Sequence, residues 1–108
     1  MNCIFCKIIK GEIPKEFAYT DSDIVAFSDI RPLKPVHLLV MPKVHITDFM
    51  ALENDHILAK IRQVIQQLVK TQHLEGKGFR LIVNGAGAQA IDHLHFHLMG
   101  PMGKAADL

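Results

Sequence analysis

Asp92-His93-Leu94-His95-Phe96-His97 places an imidazole at every second position. Three of the chain's seven histidines lie in this run, separated by large apolar residues. A period of two is that of a β-strand, so the imidazoles are expected on one face and the apolar side chains on the other. Such a platform suits either a metal site or phosphoryl chemistry. Alternate residues of one strand lie roughly 7 Å apart, so three in a row reach one ion awkwardly. It is easier for one to bind metal while its neighbours face a substrate. A neutral imidazole attacks phosphorus in line when one nitrogen is free and the other donates to a partner. His95, with an imidazole on either side, is the candidate nucleophile. His93 and His97 are placed to bind phosphate oxygens. The small-residue loop Gly85-Ala86-Gly87-Ala88 offers the backbone N–H groups of Gly85, Gly87 and Ala88 for the same purpose.

Cys3-Ile4-Phe5-Cys6 is the second group with chemical potential. A pair two residues apart can be buried small hydrophobes or a redox pair at a helix start. No thioredoxin-like βαβ context follows it. With the histidines available it can also supply half of a Cys2His2 zinc site, with His45 and His93 as the partners.

The elements that must position these groups are legible from periodicity. Ile4, Phe5, Ile8 and Ile9 recur at helical spacing before Gly11 and Pro14, predicting a short first helix. Phe17 to Tyr19 reads as a short strand, and residues 24–29 and 36–41 as two further strands. Prolines 32, 35 and 42 mark their boundaries. A long helix is expected from about Asn54 to His73, with Ile57, Ile61, Val64, Ile65 and Leu68 as its apolar stripe. Residues 79–84 and 91–99 follow as strands, and their short connection predicts a hairpin. The expected class is α+β, an antiparallel sheet with one long and one short helix. The expected organisation is one domain over residues 1–108, with 100–108 as an irregular tail.

Composition narrows the function. The chain has 108 residues, 49% of them apolar and 21% charged, so a modest core can form. Its formal charge is +1 and its basic residues are scattered, so no nucleic-acid partner is expected. No stretch has the apolar length to span a bilayer, and no signal peptide is read. Two closely spaced cysteines fit a reduced, cytoplasmic protein better than a disulfide framework.

His93-Leu94-His95-Phe96-His97-Leu98-Met99 resembles the histidine-triad motif, His-apolar-His-apolar-His-apolar-apolar. The opening from Cys3 to Pro14 looks like the start of the same family. So does the stretch from Phe27 to Ile30, through Pro35-Val36-His37, to Met41-Pro42-Lys43-Val44-His45-Ile46. The resemblance covers nearly the whole chain, and the branch is that of the histidine-triad nucleotide-binding proteins. It implies a homodimer with a sheet continuous across a two-fold axis. It also implies a purine nucleoside phosphoramidase in which His95 forms a nucleotidyl intermediate that water releases as AMP or GMP. His37, His93 and His97 match the supporting histidines, and Asp29 the carboxylate that takes the ribose hydroxyls. Phe5, Ile8, Phe27 and Ile30 match the apolar nucleobase slot. Asn84 and Gln89 complete the substrate-binding set. Cys3, Cys6, His45 and His93 match the ligands of a structural Zn2+, and no organic cofactor is implied.

Two regions depart from the family pattern. The run from Gly85 to Asp92 is about two residues short, and Ala90 stands where a hydroxyl is expected. Losing one transition-state donor can cost about 100-fold. Asp92 occupies a position where an aromatic or apolar residue is common. The tail, Gly100-Pro101-Met102-Gly103 onward, also differs from the Gly-Gly-Arg continuation of relatives. Two alternatives therefore stand beside the phosphoramidase: a dinucleoside polyphosphate hydrolase, and a nucleotide-binding or interaction module with little turnover.

Overall fold

The computed structural model describes residues 2–108. A five-stranded antiparallel sheet in the order β1-β2-β3-β5-β4 carries one helix on each face. The elements are α1 (Ile4–Ile9), β1 (Tyr19–Thr20), β2 (Ile24–Ser28), β3 (Val36–Pro42), a 3-10 turn (Phe49–Ala51), α2 (Asp55–Thr71), β4 (Arg80–Val83) and β5 (Phe96–Gly100). The expected α+β class is borne out.

Period-two alternation splits the strands between two apolar clusters. Ile24, Ala26, Leu38, Val40, Phe96 and Leu98 face α2 and meet its buried stripe of Ile57, Ile61, Val64, Ile65 and Leu68. Val25, Phe27, Leu39 and Met41 face the other way and meet Phe5 and Ile8 of α1. Covering both faces explains why β2 and β3 are almost continuously apolar. Each large side chain buried here contributes roughly 1.5–3 kcal/mol.

The helix ends follow local chemistry. Asn54 caps α2, its side-chain oxygen accepting the N–H groups of His56 and Ile57. The chain leaves α2 through His73, which has φ +59°. The six-residue α1 is too short to stand alone. Its Cys3 Sγ accepts the N–H of Cys6, and burial of Phe5 and Ile8 holds it to the sheet.

Three expectations are corrected. First, the short strand expected over Phe17 to Tyr19 lies at Tyr19–Thr20. Second, the strand expected over 91–99 begins only at Phe96. Residues 91–93 form a bend, and the Leu94 N–H that follows leaves the ladder and donates to the Ile46 carbonyl at 2.7 Å. Third, β4 and β5 are antiparallel neighbours, but residues 84–95 connect them, so they form no tight hairpin. The Phe49–Ala51 turn has no counterpart in the sequence reading. Asp48 builds it by accepting the N–H groups of Met50 and Ala51.

Gly100, expected to open the irregular tail, closes β5, and the chain beyond it is tied down at its start. Met102 and Gly103 donate to the carbonyls of Gly78 and Lys77. Gly78 has φ +84°, and a Cβ there would lie 2.4 Å from the Gly103 carbonyl oxygen, so only glycine fits.

Candidate active site and metal centre

Sheet register brings together histidines sixty residues apart. His37 on β3 pairs with Met99 on β5, which puts His97 diagonal to it on the same face. The His37 and His97 rings lie 5.2 Å apart, and the His95 and His97 rings 5.1 Å apart. Asp29 follows β2 and is held to β3 through its N–H, which donates to the His37 carbonyl. His37 and His95 are buried, and His97 is half-buried.

Backbone groups fix the tautomers. His95 Nδ1 lies 2.7 Å from the His93 carbonyl oxygen. A carbonyl only accepts, so Nδ1 carries the proton and Nε2 keeps its lone pair. The Leu33 N–H donates to His37 Nδ1 at 3.0 Å, which puts the proton of neutral His37 on Nε2. That N–H donates to His97 Nδ1 at 2.9 Å, leaving His97 with a proton on Nε2. One imidazole thus presents a free nitrogen and its neighbour presents a donor. Burial, followed by the His95 and His37 imidazoles, pushes His97 below its ordinary pKa; Asp29 opposes this.

His93 belongs to a different group. Its ring leaves the platform expected for three imidazoles and joins Cys3, Cys6 and His45. His93 Nδ1 is 3.5 Å from Cys3 Sγ and 3.6 Å from Cys6 Sγ, while Cys6 Sγ is 3.3 Å from His45 Nδ1. A tetrahedral zinc ion with ordinary bond lengths separates its sulfur and nitrogen ligands by about 3.6 Å. The donor set and spacing fit that ion. His93 Nε2 donates to the Pro42 carbonyl at 2.8 Å, which turns Nδ1 toward the thiols. Burial pushes the His93 pKa down. Its ring is fully buried and in edge contact with Phe5 and His45.

The remaining residues fall around these two groups. Phe5, Ile8 and Phe27 are buried on the α1 face, and Phe5 meets the His95 ring edge-on at 5.1 Å. Ile30 is 86% exposed in the loop after Asp29, so it stands outside that apolar cluster. Asn84 is half-buried, one residue past Val83, the β4 partner of Phe96. The Gln89 amide donates to the carbonyls of Ile91 and His93 at 3.1 and 3.3 Å. In the small-residue loop, Ala88 donates to the Gly85 carbonyl and Ala86 to Asp48. The Ala88 N–H expected to face phosphate is therefore already committed. Ala90 and Asp92 line a cavity of about 410 Å³ beside the metal cluster, with Cys3 and His45 on its other side.

Asp48, Leu33 and Pro42 were missed as site residues. Asp48 had a signal, since an aspartate before an apolar turn reads as a cap. Leu33 and Pro42 act through backbone atoms, which no residue type reveals.

The family model described as "Scavenger mRNA decapping enzyme C-term binding" matches residues 2–106. Protein HitA of Neisseria gonorrhoeae is 41% identical over 103 residues, covering 92% of this chain and 95% of its own length. The purine nucleoside phosphoramidase of Escherichia coli is 35% identical over 106 residues, covering 93% and 89%. The 14 kDa zinc-binding protein of Zea mays is 40% identical over 103 residues, covering 90% and 80%. The solved HIT family hydrolase of Clostridium thermocellum matches with a TM-score of 0.92 and 37% identity, over 99% of this chain and 96% of that one. With this likeness along the chain and the triad geometry beneath it, the protein belongs to the histidine-triad family and is one of its hydrolases.

Proposed function

We propose that this chain hydrolyses purine nucleoside phosphoramidates through a covalent nucleotide on His95, releasing AMP or GMP. The observation that carries this reading is the 2.7 Å contact between His95 Nδ1 and the His93 carbonyl, which leaves Nε2 free to attack. Phe5, Ile8 and Phe27 form the apolar ground beside which a base can lie, and Ile30 offers its exposed side chain to the same base in this reading. Asp29 accepts from the ribose hydroxyls, an arrangement suited to an acceptor-only carboxylate. Asn84 and Gln89 complete the substrate-binding set in this reading, Asn84 beside the phosphate and ribose.

His95 Nε2 attacks the α-phosphorus, and His97 donates to the departing amine. His37 orients the His97 ring. Water then displaces His95 from phosphorus. The name of the Escherichia coli relative supports the substrate class, and the hydrogen bond between His37 and His97 supports the part given to His97.

Cys3, Cys6, His45 and His93 hold a structural Zn2+ in this reading. Through such an ion these four residues would tie α1 to the approach of β5, and its chemistry would be folding stability rather than an attacking water. The chain acts as one histidine-triad unit and pairs with a second copy along β4. It works in the cytoplasm, where its thiols stay reduced, with a nucleotide rather than a nucleic acid as partner. No described helix is long and apolar enough to cross a membrane.

The test follows hydrolysis of an adenosine 5′-phosphoramidate with a fluorescent amine, and of diadenosine polyphosphate, by native protein and His95→Ala. Release of the amine by native protein alone supports the proposal, as does a nucleotidyl adduct trapped on His95. Preference for the polyphosphate moves the chain to the other hydrolase branch. The methyl of Ala90, where a hydroxyl is expected, favours a second reading as a nucleotide-binding module. Tight AMP binding without any adduct puts that reading first.

A further inference from the structure

A ribose-binding role does not account for where the Asp29 carboxylate lies. Oδ1 accepts the Arg31 N–H at 3.0 Å. Oδ2 lies 3.4 Å from His37 Nε2 and 3.8 Å from His97 Nδ1, and those two nitrogens are 2.9 Å apart. One carboxylate oxygen and two imidazole nitrogens therefore form a tight triangle. The Asp29 side chain is 20% exposed and that of His37 only 2%, so water screens the group weakly.

The proton count makes this placement consequential. Neutral His37 has its proton on Nε2, because Nδ1 accepts from Leu33. His97 receives that hydrogen bond at Nδ1. If His97 gives its Nε2 proton to a leaving amine from this state, an imidazolate remains. A working acid therefore holds a further proton on Nδ1 of His97. Two N–H groups then face one another across 2.9 Å. A negative charge beside both offsets that repulsion, and Oδ2 of Asp29, 3.4 Å from one nitrogen and 3.8 Å from the other, supplies it.

We propose that Asp29 has a second role, as the counter-charge that lets the His37–His97 pair hold and hand over the proton taken by the leaving amine. This rests on the phosphoramidase reading. In the first half-reaction the His95 Nε2 lone pair forms the bond to phosphorus. The P–N bond breaks, and its electron pair takes the proton from His97 Nε2. In the second, a water oxygen bonds to phosphorus and the P–N bond to His95 breaks, its electrons returning to His95. The water proton returns to His97 Nε2. Asp29 touches no reacting atom in either half and acts through His97, so on this count it is a positioning residue. Burial and the neighbouring imidazoles oppose charge on His97, and Asp29 favours it.

The experiment measures kcat and KM for native protein and Asp29→Asn on an adenosine 5′-phosphoramidate and on its 2′,3′-dideoxy counterpart. Asparagine keeps the shape and the carbonyl that accepts from Arg31, and equal melting temperatures verify the fold. The expected kcat loss is about tenfold or more on both substrates, as for a weakened general acid. The KM change is confined to the substrate that has the diol, and Asp29→Glu recovers part of the lost kcat. On a p-nitrophenyl ester, whose leaving group departs as an anion, the kcat loss shrinks markedly. Equal kcat for native and Asp29→Asn on the dideoxy substrate overturns the proposal, because the carboxylate then serves only the diol. An undiminished loss on the nitrophenyl ester overturns it as well. No turnover of either amine substrate by the native protein overturns the phosphoramidase reading itself, and this inference with it.

Discussion

The His93 carbonyl oxygen lies 2.7 Å from His95 Nδ1, while the His93 ring points away from His95 into the cysteine cluster. One residue therefore serves both groups. Its backbone sets the nucleophile's tautomer, and its side chain closes the metal-ligand set. Phe5 is packed between them, with ring centroids 6.0 Å from His93 and 5.1 Å from His95. Whatever holds the His93 ring in place also holds the carbonyl that orients His95.

Metal removal follows from that link. The native protein is expected to contain one zinc per chain by atomic absorption. Chelation should lower the melting temperature by about 10–20 °C, the scale for losing an ion held at 100 to 1,000 times its Kd from a domain of this size. Cys6→Ser should do the same without chelator. Because the His93 carbonyl loosens, kcat should fall while KM changes little. Metal-free protein that melts at the same temperature as the native form would show that the four residues hold no structural ion.

Gln89 supports the same carbonyl from the other side. Its amide nitrogen reaches the carbonyls of Ile91 and His93, so half of the side chain is spent within the protein. Gln89→Ala should cost about 0.5–1.5 kcal/mol of stability, the net value of such a hydrogen bond. It should also reduce kcat more than KM, measured in steady state on the fluorescent amine substrate. A change confined to KM would mean that Gln89 acts only as a substrate contact.

The triad and the cysteine pair were legible because their residue types are chemically distinctive and their spacing is strict. The α2 stripe was legible for a physical reason of equal force: Ile57, Ile61, Val64, Ile65 and Leu68 can share one face only in a helix, and all five are buried. Period two, by contrast, does not say where ladder pairing begins, and residues 91–93 form a bend instead. The strand expected over 91–99 therefore shortened to Phe96–Gly100. The division of the histidines also depended on long-range register. Leu39 opposite His97 puts His37 beside it, and no local pattern encodes that pairing. The tautomers rest on the Leu33 N–H and the carbonyls of Pro42 and His93, groups that every residue type offers alike.

Acid stability should report on the turn between β1 and β2. Burial disfavours the Asp21 charge, but the Tyr19 hydroxyl, the N–H groups of Asp23 and Ile24, and Lys60 outweigh it and bring the carboxyl down to about 2. The Tyr19 contact is 2.6 Å. A carboxyl depressed in the folded state contributes stability above its unfolded pKa and loses it as pH falls toward the folded one. Urea unfolding should therefore show about 1–2 kcal/mol lost from this group between pH 4 and pH 2. Asp21→Asn should be less stable at pH 7 and flatter across that window. Parallel curves for the two proteins would remove Asp21 as the cause.

Self-association should follow from the open side of the sheet. β4 is an edge strand, and Phe79, Leu81 and Val83 are 50%, 43% and 37% exposed along it. Leu81 pairs with Leu98, so these side chains lie on the α2 face and extend the buried cluster to the surface. Between Phe79, Leu81 and α2 runs a groove of about 250 Å³, lined by Leu58, Ile61 and Ile65 together with Arg62 and Gln66. A flat apolar edge with unpaired N–H and C=O groups either finds a partner strand or invites aggregation. A second copy related by a two-fold axis satisfies both the edge and the groove. Sedimentation equilibrium at micromolar concentration should give the mass of two chains. Leu81→Lys, which sets a charge in that groove from each copy, should give one chain and a lower melting temperature that no longer depends on concentration. A native protein that sediments as one chain would leave the edge without its expected partner and count against pairing along β4.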